Sequence, residues 1–383
     1  MLKPAKIYLD HNATTPVHEQ VLEKMLPYFT QNFANPHSDH AFGWDASEAL
    51  EQARKQVANL INARASEITF TSGATEAANL ALFGFAKENR NKGQHIISCR
   101  TEHKAVLETL NALEKDGYEI GYVEVNCDGI VDLEQFQNLL RPDTSMVVMM
   151  LANNETGVIQ DISEISKLAH QNGSLVMSDI TQAVGKIEVD IKAMGIDIAI
   201  FSSHKIYGPK GAGAFYSSSK TDLARYMYGG NQENGMRPGT VNVPAVVGFG
   251  FASELASKQL QETSEGMLLL RNDFEEQLQS LEDVQINAKD QDRLPNTTSL
   301  SVHNVDGDAL YRRMNRIAIS RGSACTSNVI EASHVLTAMG IEESLALATY
   351  RISLGKSTTR QDLNLAFENI KTAINSIRKT SLV

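Results

Sequence analysis

Short apolar runs alternate with longer amphipathic stretches over roughly the first 250 residues. Seven runs are brief, apolar and rich in β-branched residues: Ile68–Thr71, His95–Ser98, Ile120–Val125, Met146–Leu151, Leu175–Ser178, Ile198–Ser202 and Ala212–Tyr216. They read as strands. Helical periodicity fills many of the gaps, as in Glu76–Asn89, Ala105–Asp116 and Ile162–Gln171. Strands that alternate with helices predict βαβ units and one large α/β domain. Its seven-stranded sheet is expected to be mostly parallel and covered on both faces. From Pro244 to Leu281 breakers are few and Leu, Glu and Gln abound, which predicts a mostly helical link into a smaller α+β unit. That unit is expected to hold the strand Thr298–Val302, the helix Gly307–Asn315 and a C-terminal helix over Arg360–Lys379.

Composition narrows the class. Hydrophobic residues are 42% and charged residues 21% of 383, an ordinary globular mix. The formal net charge is −11 and no polybasic run occurs, so neither direct nucleic-acid binding nor attachment to an anionic membrane is expected. Cys99, Cys127 and Cys325 are odd in number and far apart. They form neither a disulfide framework nor a Cys-x-x-Cys motif. The segment Met1–Lys6 reaches Asp10 before an apolar signal region can form, and no apolar run approaches the ~20 residues of a spanning helix. A cytoplasmic location is expected. Neither His170 nor Asp161 has metal-ligand spacing, so no metal is expected.

Candidate chemistry collects at strand ends, where ligands bind in open α/β sheets. Lys205 follows Ile198–Ser202, Asp179 follows Leu175–Ser178 with Gln182 close behind, and His103 follows His95–Ser98. Asn153-Asn154 follows Met146–Leu151, in a stretch that also reads as a plain turn. The run Thr71-Ser72-Gly73-Ala74-Thr75-Glu76 opens a helix with small and hydroxylated residues, a setting for phosphate as well as an ordinary N-cap. Taken singly, each has a bland reading: a loop lysine, an N-capping aspartate, a surface histidine. Together they supply a lysine for a Schiff base, a carboxylate for a pyridinium nitrogen and a phosphate cradle, which is what pyridoxal phosphate requires of a protein. Cys325 sits in the small, polar run Ser320–Asn328, where Arg321 favours its thiolate.

These residues resemble the cysteine desulfurases of the NifS/IscS type, within the fold-type-I pyridoxal-phosphate enzymes. The resemblance spans nearly the whole chain. It is carried by Tyr8-Leu9-Asp10-His11-Asn12-Ala13-Thr14-Thr15-Pro16, the Thr71–Glu76 turn, Asn153-Asn154-Glu155-Thr156-Gly157, Ser202-Ser203-His204-Lys205-Ile206-Tyr207-Gly208-Pro209-Lys210-Gly211, Arg237-Pro238-Gly239-Thr240 and Gly322-Ser323-Ala324-Cys325-Thr326-Ser327. The last of these resembles the long-loop branch of the family.

The resemblance implies roles. Lys205 is the Schiff-base lysine, Asp179 pairs with the ring nitrogen, and His103 stacks on the ring and shuttles a proton. Asn154 and Gln182 lie on the phenolic-oxygen side. Ala74, Thr75, Ser202 and His204 belong to the phosphate end, and Thr240 reaches the phosphate of the other subunit of a homodimer. Arg351 binds the carboxylate of L-cysteine, a task that suits a guanidinium fork, and Asn154 lies beside it. Cys325 receives the sulfur as a persulfide for an acceptor protein, in iron–sulfur cluster assembly or nucleic-acid thio-modification. The implied division is a large domain over residues 16–259, with residues 1–15 and 260–383 forming a small domain that carries the cysteine loop, about 320–333. The chain closes at Ser381-Leu382-Val383, short of the extension by which housekeeping relatives engage their scaffold; a specialised sulfur-transfer role fits such a tail as well as scaffold partnership does. A selenocysteine lyase or an aminotransferase of the same fold would share Lys205 and Asp179. A non-catalytic sulfur-relay partner would keep the fold alone.

Overall fold

The computed structural model describes residues 6–321 and 331–381. Seven strands form one sheet: Ile68–Thr71, His95–Cys99, Glu119–Val123, Thr144–Val148, Leu175–Asp179, Ile198–Ser202 and Gly213–Ser217. Across the sheet they run in the order first, seventh, sixth, fifth, fourth, second, third. Gly213–Ser217 is antiparallel to both neighbours and every other pair is parallel. The carboxyl ends of the other six strands therefore share one edge with the start of Gly213–Ser217.

Alternate residues of the central strands enter two cores. Val147, Val176, Ala199 and Phe201 pack with Leu50, Val57, Ile162, Ile165 and Phe249 on one face. Met146, Val148, Met177, Ile198 and Ile200 pack with Leu80, Phe85, Val106 and Leu110 on the other. Burial on both faces explains the continuous apolar runs.

Two strands of this sheet differ from expectation by more than one residue at an end. The third strand begins and ends earlier than Ile120–Val125. The fourth is Thr144–Val148, not Met146–Leu151. Beyond Val148 the parallel pairing persists in part, since Met149 and Leu151 donate to the Met177 and Asp179 carbonyls. The Met150 N–H between them turns to the carboxyl of Glu102.

The segment after Pro244 is two helices, Val243–Lys258 and Leu260–Gln279, which break at Gln259. They lead to a four-stranded antiparallel sheet of Val284–Ile286, Thr297–Val302, Ser320–Arg321 and Thr349–Ser353. A third core of Leu9, Phe274, Leu300, Tyr350, Ile352, Ala366, Ile370 and Ile374 joins this sheet to the C-terminal helix Arg360–Ser381. The strand Ile7–Tyr8 pairs in parallel with Ile317–Ala318. The N-terminal segment then crosses the seam between the sheets: the Asn12 N–H donates to Ser353 Oγ at 2.9 Å, and the Thr15 N–H donates to the His204 carbonyl at 3.0 Å.

Candidate active site

A cavity of about 590 Å³ opens at the shared strand edge. Ala74, Thr75, His103, Asn154, Asp179, Gln182, Ser202, His204 and Lys205 all line it. At one end stands the helix Ala74–Asn89, sixteen residues long, whose N-terminus has no side-chain cap. Its first N–H groups and dipole are thus free for an anion. The turn before the helix is pressed against the sheet. A Cβ on Gly213 would lie 2.5 Å from the Gly73 Cα and 2.9 Å from the Phe201 carbonyl oxygen, so only glycine allows this approach. Glu76 holds the turn from below, accepting from the Ser72 N–H at 2.6 Å and from Arg237 Nε at 2.8 Å.

Lys205 sits on a single 3₁₀ turn, Ser203–Lys205, at the end of a fully buried strand. Its Nζ donates to the Asn12 carbonyl at 2.5 Å and to the Ala13 carbonyl at 2.8 Å. Burial and the neighbouring Arg351 push its pKa down to about 8. The chain leaves through Tyr207 at φ 66°, a left-handed conformation costly for an aromatic residue. The Thr15 hydroxyl accepts from the Tyr207 N–H at 2.9 Å, and the Tyr207 hydroxyl accepts from the Lys356 N–H at 2.6 Å. These contacts hold the turn and aim Lys205.

One strand over, Asp179 Oδ1 accepts from the Thr181 N–H at 2.9 Å. His103 caps the helix Lys104–Lys115, its Nδ1 accepting from the Ala105 N–H at 3.1 Å. That bond fixes the neutral tautomer with its proton on Nε2. Burial lowers the His103 pKa and Asp179 opposes the shift. The His204 pKa is pushed down to about 4 by burial and by Lys205, Lys210 and Lys186.

Arg351, on the strand Thr349–Ser353, stands beside the cavity rather than in its wall. It donates to Asp10 Oδ1 at 2.7 Å and to the Asn154 carbonyl at 3.1 Å, and its buried Nε has no partner. Thr240 is exposed and lines no part of this chain's cavity. Cys325 lies outside the described residues.

Three groups escaped the sequence reading. Glu102 is fully buried beside the strand end, and burial with the nearby Asp179 raises its pKa well above the carboxylate range. Lys186 is fully buried and pushed down to about 7 by burial, Lys205 and Arg351. Asn12 ties the seam together: its side chain meets the Asn154 carbonyl, Thr297 Oγ1 and Asn296 Nδ2, while its own carbonyl receives Lys205 and Gln182. A charged residue inside an apolar run, as in Ala183-Val184-Gly185-Lys186-Ile187, was the available signal for Lys186.

The arrangement fits pyridoxal phosphate. An uncapped helix start for the phosphate, a lysine of lowered pKa and a carboxylate on the adjacent strand face one cavity of suitable size.

Comparison with known proteins agrees with this geometry. The family profile "Aminotransferase class-V" matches residues 7–365. Cysteine desulfurase IscS of Neisseria meningitidis serogroup C is 43% identical over 378 residues, covering 98% of this chain and 94% of that protein. A solved NifS-like protein superposes with a TM-score of 0.91 at 36% identity, over 97% of this chain and 99% of that one. The structure of SspA in complex with cysteine gives 0.82 at 35% identity, over 91% and 98%. Similarity of this extent means that the chain belongs to the class-V aminotransferase family and, within it, to the cysteine desulfurases.

Proposed function

We propose that this protein removes sulfur from L-cysteine and releases L-alanine, with pyridoxal 5'-phosphate in the cavity and Cys325 as first acceptor of the sulfur. The observation that carries the reading is the convergence of Lys205, Asp179 and the uncapped start of Ala74–Asn89 on one cavity. When bound, the cofactor supplies an electrophilic carbon for an amine and a sink for the electrons of a broken C–H bond.

The protein's part follows from its own groups. The Ala74 and Thr75 N–H groups, the Thr75 and Ser202 hydroxyls and His204 hold the phosphate. Asp179 would keep a proton on the ring nitrogen, and His103 would cover the ring with Nε2–H available as a donor. Asn154 and Gln182 face the phenolic side. Lys205, with its pKa pushed down to about 8, is neutral in roughly a tenth of molecules at pH 7, far more than an ordinary lysine. It would anchor the cofactor and, when its amine is free, take the Cα proton on Nζ. Arg351, beside the cavity with its terminal nitrogens on Asp10 and the Asn154 carbonyl, is the residue that would bind the substrate carboxylate. The Cys325 thiolate forms an S–S bond to the substrate sulfur as the Cβ–S bond breaks. The bonding pair stays with Cβ, which takes up a proton to become a methyl group, and the carbon skeleton leaves as alanine.

The proposed assembly is a homodimer, in which Thr240 of one chain reaches the phosphate end of the other. Exposed Phe29, Phe33, Phe42 and Trp44 support it, since aromatic side chains are enriched at interfaces. The proposed division into 16–259 and 1–15 with 260–383 is supported by the separate cores. The sulfur passes on to an acceptor protein, and the cytoplasm is the proposed location. Among the described residues no helix is long and apolar enough to cross a membrane.

The test is alanine release from L-cysteine with a reductant present. The parent protein should form alanine and sulfide in equal amounts. Cys325→Ala should keep the bound cofactor and lose turnover. Undiminished turnover in that variant would remove Cys325 from the mechanism and favour a lyase or aminotransferase.

A further inference from the structure

Lys186 is the one lysine buried among the described residues, and no carboxylate there lies within ion-pair distance of it. Its Nζ donates to the Gln182 carbonyl at 2.9 Å and to Gln182 Oε1 at 3.1 Å. The other end of the same amide, Nε2, donates to the Asn12 carbonyl at 3.0 Å. Asn12 O also receives Lys205 Nζ. The charged or titratable neighbours of Lys186 are Lys205, Arg351, His11 and His204, with Tyr207 and Lys356 across a small void.

These contacts leave the Gln182 amide one orientation. A carbonyl can only accept, so Nε2 must face Asn12; Lys186 in its ammonium form can only donate, so Oε1 must face it. The reversed amide would satisfy neither partner in a buried site, where each unmade bond costs its full desolvation. Gln182 lines the cavity, and one N–H of Nε2 remains for it. We propose that Lys186 is a positioning residue: by holding Oε1 it makes Gln182 present a donor to the negatively charged phenolic oxygen of the cofactor. Turned over, the amide would set oxygen against oxygen. The inference rests on the pyridoxal-phosphate reading above.

The readout is the pH midpoint of the cofactor's visible absorbance, with no substrate present. It is compared in the parent protein, Lys186→Met, Lys186→Gln, Gln182→Met and the double variant of the two methionine changes. Loss of a donor to the phenolic oxygen raises the proton affinity of the chromophore. The midpoint should therefore rise by about half a pH unit or more in each methionine variant, a ~3-fold change. The double variant should move no further than either single one, because Lys186 acts through Gln182. Lys186→Gln keeps an N–H donor without the charge and should restore the parent midpoint. An unmoved midpoint in Lys186→Met, shifts that add in the double variant, or a Lys186→Gln midpoint as high as that of Lys186→Met would each overturn the proposal, the last two by assigning the effect to charge alone. Should Lys186→Met fail to fold or to hold the cofactor, Lys186→Leu takes its place and is read against Lys186→Gln by the same criterion. A parent protein that gains no visible band on adding pyridoxal phosphate overturns the cofactor reading itself, and does so without any variant.

Discussion

Lys205 gives up its hydration for the carbonyl oxygens of Asn12 and Ala13, with Arg351 near enough to repel its charge. Its pKa falls from the usual lysine value of 10.5 to about 8 on folding. Below pH 8 both states are protonated and the folded state carries the whole cost of the buried charge. Between pH 8 and 10.5 the folded protein loses the proton first, so stability from this group rises with pH. In the cofactor-free protein, Lys205→Met should gain on the parent as pH falls from 10 to 8, by at most about 3 kcal/mol. The two carbonyls left unpaired offset part of that. Denaturant unfolding at the two pH values checks it, and a constant difference between parent and variant would count against the depressed pKa. Lys205, Asp179 and His103 were legible in the sequence because each follows an apolar run, so the topology alone brings them to one edge. Glu102 and Lys186 were not. Their protonation is set by burial under residues far away in the chain, and no local pattern records that.

The turn Asn153–Gly157 meets the start of the helix His334–Ala338 through one hydrogen bond. Ser333 caps that helix on the Val335 and Leu336 N–H groups and donates from Oγ to Glu155 Oε2 at 2.5 Å. His334 Nε2 lies 2.9 Å from the Glu102 carbonyl, next to His103. The residues that return the chain from 322–330 are thereby tied to the neighbours of Asn154 and His103. Burial pushes the Glu155 carboxyl up to about 7, against the smaller opposing effects of Ser333, Arg351 and Lys104. A raised carboxyl pKa means that stability from this group is full at low pH and is lost as pH rises from 4.5 to 7. Glu155→Gln keeps an acceptor for Ser333 and removes the ionisation. Relative to the parent it should gain between pH 5 and 7.5, by up to about 3 kcal/mol, as read by denaturant unfolding; equal pH slopes for the two proteins would refute this. The elements themselves were mostly readable, since buried parallel strands are continuous apolar runs. The strand Thr349–Ser353 was missed because Arg351 interrupts its pattern, and the arginine is accommodated only through Asp10 and the Asn154 carbonyl from outside the strand. The reversed direction of Gly213–Ser217 was equally invisible, because direction is a property of the sheet and not of five residues.

At the scale of the whole molecule, the proposed homodimer draws on two surfaces of the single chain. The helix Ala41–Leu60 buries Leu50 and Val57 in the core with Phe249 of the helix Val243–Lys258, yet its first turn exposes Trp44 at 61%. Phe33 is exposed at 71% and Tyr228 at 78%. Nearby in sequence, the loop that ends in Thr240 is held firmly from within its own chain. The carboxylate of Glu233 takes both terminal nitrogens of Arg54, at 2.6 and 2.8 Å, and the Phe70 N–H at 2.8 Å. A loop braced this way and ending in an exposed hydroxyl is suited to completing a neighbour's site. The protein should therefore sediment as a dimer, and Phe33→Asp with Trp44→Asp should shift it towards monomer and weaken its hold on the cofactor. The sharper test uses two defective chains. If Thr240 serves the partner, a mixed dimer of one Thr240→Ala chain and one Lys205→Ala chain has one site with both groups intact and one lacking both. Co-expression of the two should then yield alanine formation above the sum of the separate variants. If Thr240 serves its own chain, every site in the mixed dimer lacks one group and no recovery appears.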